Sequence, residues 1–201
     1  MSEVKELTLR EIEKMLGYKV KIVEEKPIEV GGLVDIADIE WIVLDKDEEG
    51  NLFCLTRDLV YKNIQFDNVT NNYTESNARK KLTSDLLKKI TRYTGVNMLI
   101  DFKVDLTSDD GLTDYGTTTE KISLLTADMY RKYNLIIEKY PVEDWWYLAT
   151  PWSTAHRGCR SNLRTVNTDG TLENHDCFCN YNDGLRPACL FSAALFETQG
   201  N

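Results

Sequence analysis

The pattern of apolar and polar residues separates a short N-terminal unit from a longer mixed domain. Residues 8–16 start with a capping box and continue with apolar side chains at helical spacing, which predicts an amphipathic helix. Val20 and Ile22 then alternate with charged residues, which predicts a half-buried strand. Pro and Gly residues follow, so we divide the chain into a helix-strand cap at 1–32 and a domain at 33–201.

Strand and helix patterns alternate through the first part of the domain. Residues 39–45 and 51–56 are apolar runs joined by an acidic, glycine-containing turn, which predicts a hairpin. Residues 73–93 carry apolar side chains at helical spacing, with basic residues mainly on the other face. The polar segment 107–119 predicts a loop, and a short strand then leads into a helix over 127–137.

Beyond Asp144 the helical pattern disappears and short strands with long irregular loops are expected. Residues 164–174 predict a hairpin with a two-residue turn at Asp169-Gly170. Residues 184–191 predict a closing strand with Pro187 near its start, where the missing N–H is tolerated. The fold class that follows is α+β, with short strands, two helices, long irregular loops and the small N-terminal appendage.

Charge and hydropathy exclude two kinds of partner. The 201 residues carry a net charge of -9, which disfavours the phosphate backbone of nucleic acids. No run approaches the ~20 apolar residues of a membrane span, and no basic start precedes an apolar stretch. These features predict a soluble protein without membrane insertion, cytoplasmic on synthesis. Asp109 and Asp110 lack the spaced oxygen ligands of a calcium loop and predict a solvated turn.

Histidine and cysteine residues near the C-terminus raise the question of metal or nucleophilic chemistry. The candidate zinc ligands are His156, Cys159, His175, Cys177 and Cys179. No Cys-x-x-Cys pair is present, and the last three would form a row along a strand rather than a tetrahedron. A cysteine nucleophile with a histidine base has no local signature here. We therefore predict no metal, no cofactor and no catalytic residue, with both alternatives left open.

The composition between Ser153 and Phe196 is unusual. This segment contains no Lys, Gln, Met or Trp, and Glu173 is its single Glu. All its other residues belong to the set encoded by codons that end in a pyrimidine. Randomising the adenines of Asn codons generates that set, although a polar loop region that avoids Lys and Glu has the same composition.

An ordered series of motifs is similar to an uncharacterised bacterial and phage domain. The series is "DIEWIVLD", "NYTESNARKKL", "TTTEKISLLTADMY", "WWYLATPW", "VNTDGT" and "GLRPACLF". The family's hallmarks are a Trp-x-Val-Leu strand, a Trp-Trp-Leu-Arg-Ser-Pro segment, a Val-x-x-Asp-Gly hairpin and a Gly-Val-Arg-Pro-Ala terminus. This chain departs from them mildly, with Ala149-Thr150 in place of Arg-Ser and Leu185 in place of Val.

The resemblance implies a C-type-lectin-like fold, shared with formylglycine-generating enzymes and with the variable proteins of diversity-generating retroelements. In those variable proteins a hypervariable surface lies near the C-terminus on a fixed scaffold, which implies a variable ligand-binding surface at 153–183 here. The expected ligand-binding residues are His156, Arg157, Cys159, Arg160, Ser161, Asn162, Arg164, Asn174, His175, Asp176, Phe178, Cys179, Asn180, Tyr181 and Asn182.

The expected surface residues have different roles. Arginines would supply charged contacts, Phe178 and Tyr181 aromatic anchors, and the remainder adaptable hydrogen bonds. Replacing surface residues such as His175, Asp176, Phe178 and Tyr181 is expected to leave folding nearly unchanged. By contrast, Trp145, Gly184 and Arg186 are expected to belong to the scaffold, and replacing any of these three would damage the fold.

The expected function is non-enzymatic recognition of a protein or cell-surface ligand, by a retroelement variable protein of a phage or bacterium. An invariant binding or structural module of the same fold is the alternative, followed by a metal- or cysteine-dependent enzyme related to formylglycine-generating enzymes. Residues 1–26 could attach the domain to a larger particle such as a phage, and a homo-oligomer would add avidity.

Overall fold

The computed structural model describes residues 7–19, 27–178 and 183–197. It combines helices with small antiparallel sheets, which confirms the predicted α+β class. The strands are β1 (Leu33–Asp35), β2 (Glu40–Lys46), β3 (Leu52–Thr56), β4 (Leu99–Ile100), β5 (Phe102–Asp105), β6 (Thr117–Glu120), β7 (Ile122–Leu124), β8 (Trp146–Pro151), β9 (Asn162–Val166), β10 (Leu172–Asp176) and β11 (Pro187–Phe191). The helices are α1 (Leu9–Leu16), α2 (Asn77–Lys81), α3 (Leu87–Thr94), α4 (Ala127–Ile137) and α5 (Ala194–Glu197).

The main sheet has six strands and is organised around β11. Its order is β1-β2-β3-β11-β4, and β7 also pairs with β11. Cys189 of β11 lies opposite Cys54 of β3 on one side and Ile122 of β7 on the other. The predicted closing strand with Pro187 at its start is therefore confirmed, and it occupies the centre of the sheet.

Both faces of the main sheet are covered, which explains why β2 reads as a continuous apolar run. Trp41 and Val43 belong to one buried cluster, which includes Leu82 of the helical region formed by α2 and α3. Ile42 and Leu44 belong to a second cluster, formed with residues of α4 and β8. Alternate side chains of one strand thus enter two different cores.

Three helices begin directly after a residue whose side chain caps them, and the first of these caps is the capping box expected in residues 8–16. Thr8, Ser76 and Thr126 each accept a hydrogen bond from the backbone N–H three residues later. A π-helical segment, Leu82–Leu86, joins α2 to α3 in place of the single regular helix expected there. The strand predicted at 20–22 lies outside the described residues.

The C-terminal hairpin has a longer turn than the sequence predicts. Residues 167–171 join β9 to β10, and hydrogen bonding between Asn167 and Thr171 closes a three-residue loop, 168–170, instead of a two-residue turn at Asp169-Gly170. Asn167 N donates to Thr171 O, and Gly170 N donates to Asn167 O, both at 2.9 Å. Gly170 has a φ of 84°, and glycine adopts this left-handed conformation without strain.

One hairpin was not predicted. β5 pairs with β6 along its whole length, and the first three residues of β6, Thr117 to Thr119, fall within the expected loop. Threonine is β-branched and favours strands, a preference that the neighbouring turn residues obscure in the sequence. Because of this pairing, the remaining loop, 107–116, is held at both ends.

The segment before β1 is already attached to the main sheet. Gly31 N donates to Val43 O at 2.7 Å, and Val43 N donates to Gly32 O at 2.9 Å. Tyr140 Oη donates to Gly31 O at 2.7 Å. The sheet contacts therefore begin before residue 33. Among the described residues, no helix has the length and apolar character required to cross a bilayer.

Gly184 lies in a tightly packed position shortly before β11, and a substitution there tests this packing. A Cβ at this position would lie 2.6 Å from Leu59 Cδ1 and 2.7 Å from the Tyr61 carbonyl oxygen. We expect Gly184→Ala to lower the free energy of unfolding by about 3 kcal/mol, because a backbone atom cannot move aside. Gly111→Ala is the control, since its Cβ meets nothing within 4 Å and its cost is the left-handed φ, about 1 kcal/mol. Equal losses in urea unfolding would contradict this packing argument.

Candidate functional site

The described members of the expected binding set lie on adjoining segments, which we call the hairpin surface: loop 153–161, β9, and residues 172–178, which contain β10. β9 pairs with β8 on one side and with β10 on the other. Four members are exposed: His156, Arg157, Arg160 and Asn174. The others are half-buried: Cys159, Ser161, Asn162, Arg164, His175, Asp176 and Phe178. Cys179, Asn180, Tyr181 and Asn182 lie outside the described residues.

Loop 153–161 is fastened to the core by one buried side chain, that of Asn71. Its Nδ2 donates to the carbonyl oxygens of Ser153 at 2.9 Å, Cys159 at 3.4 Å and Asn162 at 2.9 Å. Asn71 is fully buried. Because every acceptor is a backbone atom, this anchoring does not depend on which side chains the loop carries.

Tyr115 completes the same anchor. Its hydroxyl donates to Asn71 Oδ1 at 2.7 Å and accepts from Ala155 N at 3.2 Å. Within the loop, the N–H groups of Arg157 and Cys159 both donate to Thr154 O at 3.1 Å. The backbone of the loop is therefore held from outside by Asn71 and Tyr115, and from within by hydrogen bonds to Thr154 O and by the side chains of Ser153 and Thr154, which donate to Asp110 and Asp114.

Asp109 and Asp110 lie exposed in a turn, as expected, and they also contact two arginines of the hairpin surface. Arg157 Nη1 lies 3.0 Å from Asp110 Oδ2, and Arg164 Nε lies 3.3 Å from Asp109 Oδ1. Hydrogen bonds from Ser108, and then from Ser153, lower the pKa of Asp110. These two arginines are thus partly neutralised.

Trp152 lies exposed directly before loop 153–161. It is 40% exposed, and Arg164 Cζ lies 5.0 Å from its ring centroid. A guanidinium over an indole is a cation–π contact that also holds the ring in place. Trp152 therefore adds a large, oriented aromatic face to the hairpin surface.

His175 is bound into the scaffold, contrary to the expectation that its identity is unimportant for folding. Its ring stacks on Trp145 with 4.2 Å between centroids and 21° between planes. His175 Nδ1 lies 2.8 Å from Oδ2 of Asp183, a carboxylate that is almost completely buried.

The buried Asp183 carboxylate also affects Tyr147. Burial, and then the charge of Asp183, raise the pKa of Tyr147, whose hydroxyl stays protonated.

Asp176 and Phe178 are also partly structural. Asp176 Oδ1 accepts from Phe178 N at 2.8 Å, which tightens the turn after β10. The Phe178 side chain packs against the main core cluster, and its carbonyl oxygen accepts from Gln65 Nε2. The aromatic anchor expected at Phe178 is therefore turned largely toward the protein.

Four of the five cysteines lie in the part of the chain that the structure describes, and all four are free thiols. Cys177 is buried, and this burial raises the pKa of its thiol to about 12, which keeps the group protonated and unreactive. Cys54, Cys159 and Cys189 are also free thiols. Within 7–19, 27–178 and 183–197, no three His, Cys, Asp or Glu side chains are grouped as a metal site requires.

Arg186 has the scaffold role expected for it. The residue is buried, and its guanidinium donates to the carbonyl oxygens of Thr56 at 2.9 Å, Arg57 at 2.7 Å and Tyr140 at 3.0 Å. These bonds connect the approach to β11 with the end of β3 and with the segment after α4. The sequence signal for this role was the motif Gly-Leu-Arg-Pro, which precedes a buried strand.

Comparison with known proteins adds no family assignment. No family model, curated protein or solved structure matches this chain. The functional argument therefore rests on the geometry of the hairpin surface.

Asn71 provides the first test of this geometry. We expect Asn71→Ala to lower the free energy of unfolding by about 2–4 kcal/mol, since loop carbonyls and the Tyr115 hydroxyl lose their partner in a buried site. Arg160→Ala is the control, because an exposed side chain of the same surface contributes less than about 0.5 kcal/mol. Urea unfolding measures both, and a small effect of Asn71→Ala would show that the loop has another anchor.

His175 and its strand neighbour Asn174 form a matched pair for the second test. We expect His175→Ala to destabilise the protein by about 1–3 kcal/mol, because the buried Asp183 carboxylate loses its hydrogen-bond partner. Asn174→Ala on the exposed side of β10 should change stability by less than about 0.5 kcal/mol. If both variants unfold at the same urea concentration as the parent, His175 can be replaced without loss of stability and the structural role assigned to it is wrong.

Proposed function

We propose that the protein is a non-enzymatic ligand-binding protein that recognises a protein or cell-surface ligand through the hairpin surface. The observation that carries the proposal is the anchoring of loop 153–161 by Asn71 and Tyr115. Both residues lie far away in the sequence, and they hold backbone atoms of the loop. The exposed side chains of the loop can then change without loss of the loop's conformation, which is what a variable binding surface requires.

The chemistry of the exposed positions favours recognition of a macromolecule. Trp152 offers an oriented aromatic face, and His156, Arg160 and Asn174 offer adaptable hydrogen-bonding groups around it. Aromatic and arginine residues of this kind supply much of the binding energy of protein interfaces. Binding of a macromolecule to a surface needs no deep cleft, because the contact area and the chemistry of the exposed side chains supply the binding energy.

We further propose a C-type-lectin-like scaffold for this surface. Two features support it: β11 joins the early hairpin β2-β3 in one sheet, and a separate three-stranded sheet, β10-β9-β8, carries the binding residues. The motif series from Trp145-Trp146 to Gly-Leu-Arg-Pro then brackets the hairpin surface. The fold is compatible with several functions, so the binding role rests on the surface itself.

Diversification by a retroelement is the mechanism that we propose for the variable positions. The restricted residue alphabet after Ser153 supports it, and so does the exposure of His156, Arg157, Arg160 and Asn174. An invariant binding module of the same fold is the second candidate. It is favoured by His175, Asp176 and Phe178, whose structural contacts restrict what can replace them.

We propose that α1 attaches the domain to a larger assembly, such as a phage particle. Thr8 and Gly17 cap both ends of this helix, yet none of its residues is buried. Leu9, Met15 and Leu16 are exposed on it, with Met15 at 75%. A well-capped helix with uncovered apolar side chains is suited to packing against a partner.

A pair of libraries tests the variable surface. In the first, His156, Arg157, Arg160 and Asn174 are randomised together, and we expect most members to unfold cooperatively within about 2 kcal/mol of the parent. In the second, Asn71, Tyr115, Trp145 and Asp183 are randomised, and most members should fail to fold. Display of the first library should also yield binders to unrelated proteins. Equal folding failure in both libraries would exclude a surface that tolerates variation.

The gene's surroundings test the retroelement separately. The proposal requires a nearby repeat that is almost identical to the coding sequence of the variable segment, together with a reverse transcriptase gene. Differences between the two copies should be confined to adenines of the template. Their absence would leave the invariant binding module as the better reading and would not affect the scaffold.

A further inference from the structure

Arg186 is a buried cation that is held by backbone carbonyl groups. Its Nε donates to Thr56 O, and its Nη2 donates to the carbonyl oxygens of Arg57 and Tyr140. In the part of the chain that the structure describes, none of the ion pairs includes Arg186. Carbonyl dipoles, the face of Trp146, whose ring centroid lies 5.4 Å from Cζ, and the charge of Asp58 offset its charge in part.

The burial of this charge changes the pKa of Arg186. Burial lowers the pKa of Arg186 to about 10, which means that the surroundings disfavour its charged form. Buried charges in proteins are normally paired, and an unpaired one is costly. An anion placed beside the guanidinium would reverse that cost.

A cavity of about 80 Å³ adjoins Arg186. Its walls are mainly aromatic and aliphatic, and they include Tyr130, Tyr140, Val142 and Trp146. Arg186 lines the same cavity, and its Nη1 donates no hydrogen bond to any described residue. The three-residue loop 168–170 borders the cavity, and Tyr130 Oη donates to Gly170 O at 2.7 Å.

We propose that this cavity binds a short aliphatic monocarboxylate, with the carboxylate on Nη1 of Arg186 and the hydrocarbon part against the aromatic walls. A guanidinium is well suited to bind a carboxylate, and hydrogen bonds between charged groups are the strong ones. A volume of about 80 Å³ accommodates an acid such as acetate or butyrate.

Two acidic side chains near the cavity modulate the affinity of an anion. Glu138 and Asp169 line the cavity and are both exposed, so solvent screens their charge. They disfavour an incoming carboxylate without occupying Arg186. Removing one of these charges should therefore strengthen binding, whereas a purely hydrophobic ligand would be insensitive to it.

The experiment is a titration of the full chain with butyrate and with butyramide, a neutral molecule of similar shape. It is followed by NMR of the Arg186 side chain and the cavity backbone. We expect saturable shifts with butyrate, with a Kd of about 1 mM, and at least tenfold weaker binding of butyramide. Equal responses to the two compounds, or no saturable response to butyrate, would overturn the proposal.

Variants distinguish butyrate binding in this cavity from binding elsewhere on the protein. Val142→Phe fills the cavity and leaves Arg186 in place, so we expect at least a tenfold loss of butyrate binding with an otherwise native spectrum. Val69→Phe, at a position 58% exposed and away from the cavity lining, is the control and should bind like the parent. Glu138→Gln should tighten binding about twofold to threefold. Butyrate binding that survives Val142→Phe would place the anion elsewhere and overturn the assignment.

Discussion

The insertion of β11 into the main sheet is the constraint on which the rest of the structure depends. This strand joins the early hairpin β2-β3 to β4 and β7, so it ties together segments that are distant in the sequence. It also fixes the residues immediately before it: Gly184 N donates to Trp145 O, and Tyr147 N donates to Gly184 O. The small sheet that carries the hairpin surface is thereby docked against the main sheet. Without β11, neither the hairpin surface nor the residues that line the cavity at Arg186 would be held in place.

Two sets of side chains in this region have different roles: one set holds the scaffold together, and the other is exposed to solvent. Buried or half-buried groups such as Asn71, Asp183 and Tyr115 hold backbone atoms or other side chains, whereas the exposed groups around Trp152 contribute little to that network. His175 lies at the boundary, because it stands within the surface segment but pairs with a buried carboxylate. The number of positions that can vary freely is therefore smaller than the length of the surface suggests.

Much of the architecture could be predicted from the sequence because its signals are local. The apolar runs of β2 and β3, the caps at Ser76 and Thr126, and the proline at the start of β11 each act within a few residues. The anchoring of the surface could not be predicted, because Asn71 bonds to carbonyl groups that are far away in the chain. The turn of the β9-β10 hairpin was misjudged for a subtler reason: an Asp-Gly pair also suits the end of a three-residue loop with a left-handed glycine.

The position of β11 also has a consequence for biosynthesis. The ribosome makes residues 153–178 before it makes the strand that completes the main sheet, and pairing of Cys189 with Cys54 is a contact of long sequence separation. Such contacts form slowly, so the main sheet closes only after the surface segment has been synthesised. Under the proposed function, each new combination of side chains on this surface is exposed to chaperones and proteases before the main sheet is complete. Solubility of the nascent chain would then be selected on this surface in addition to recognition.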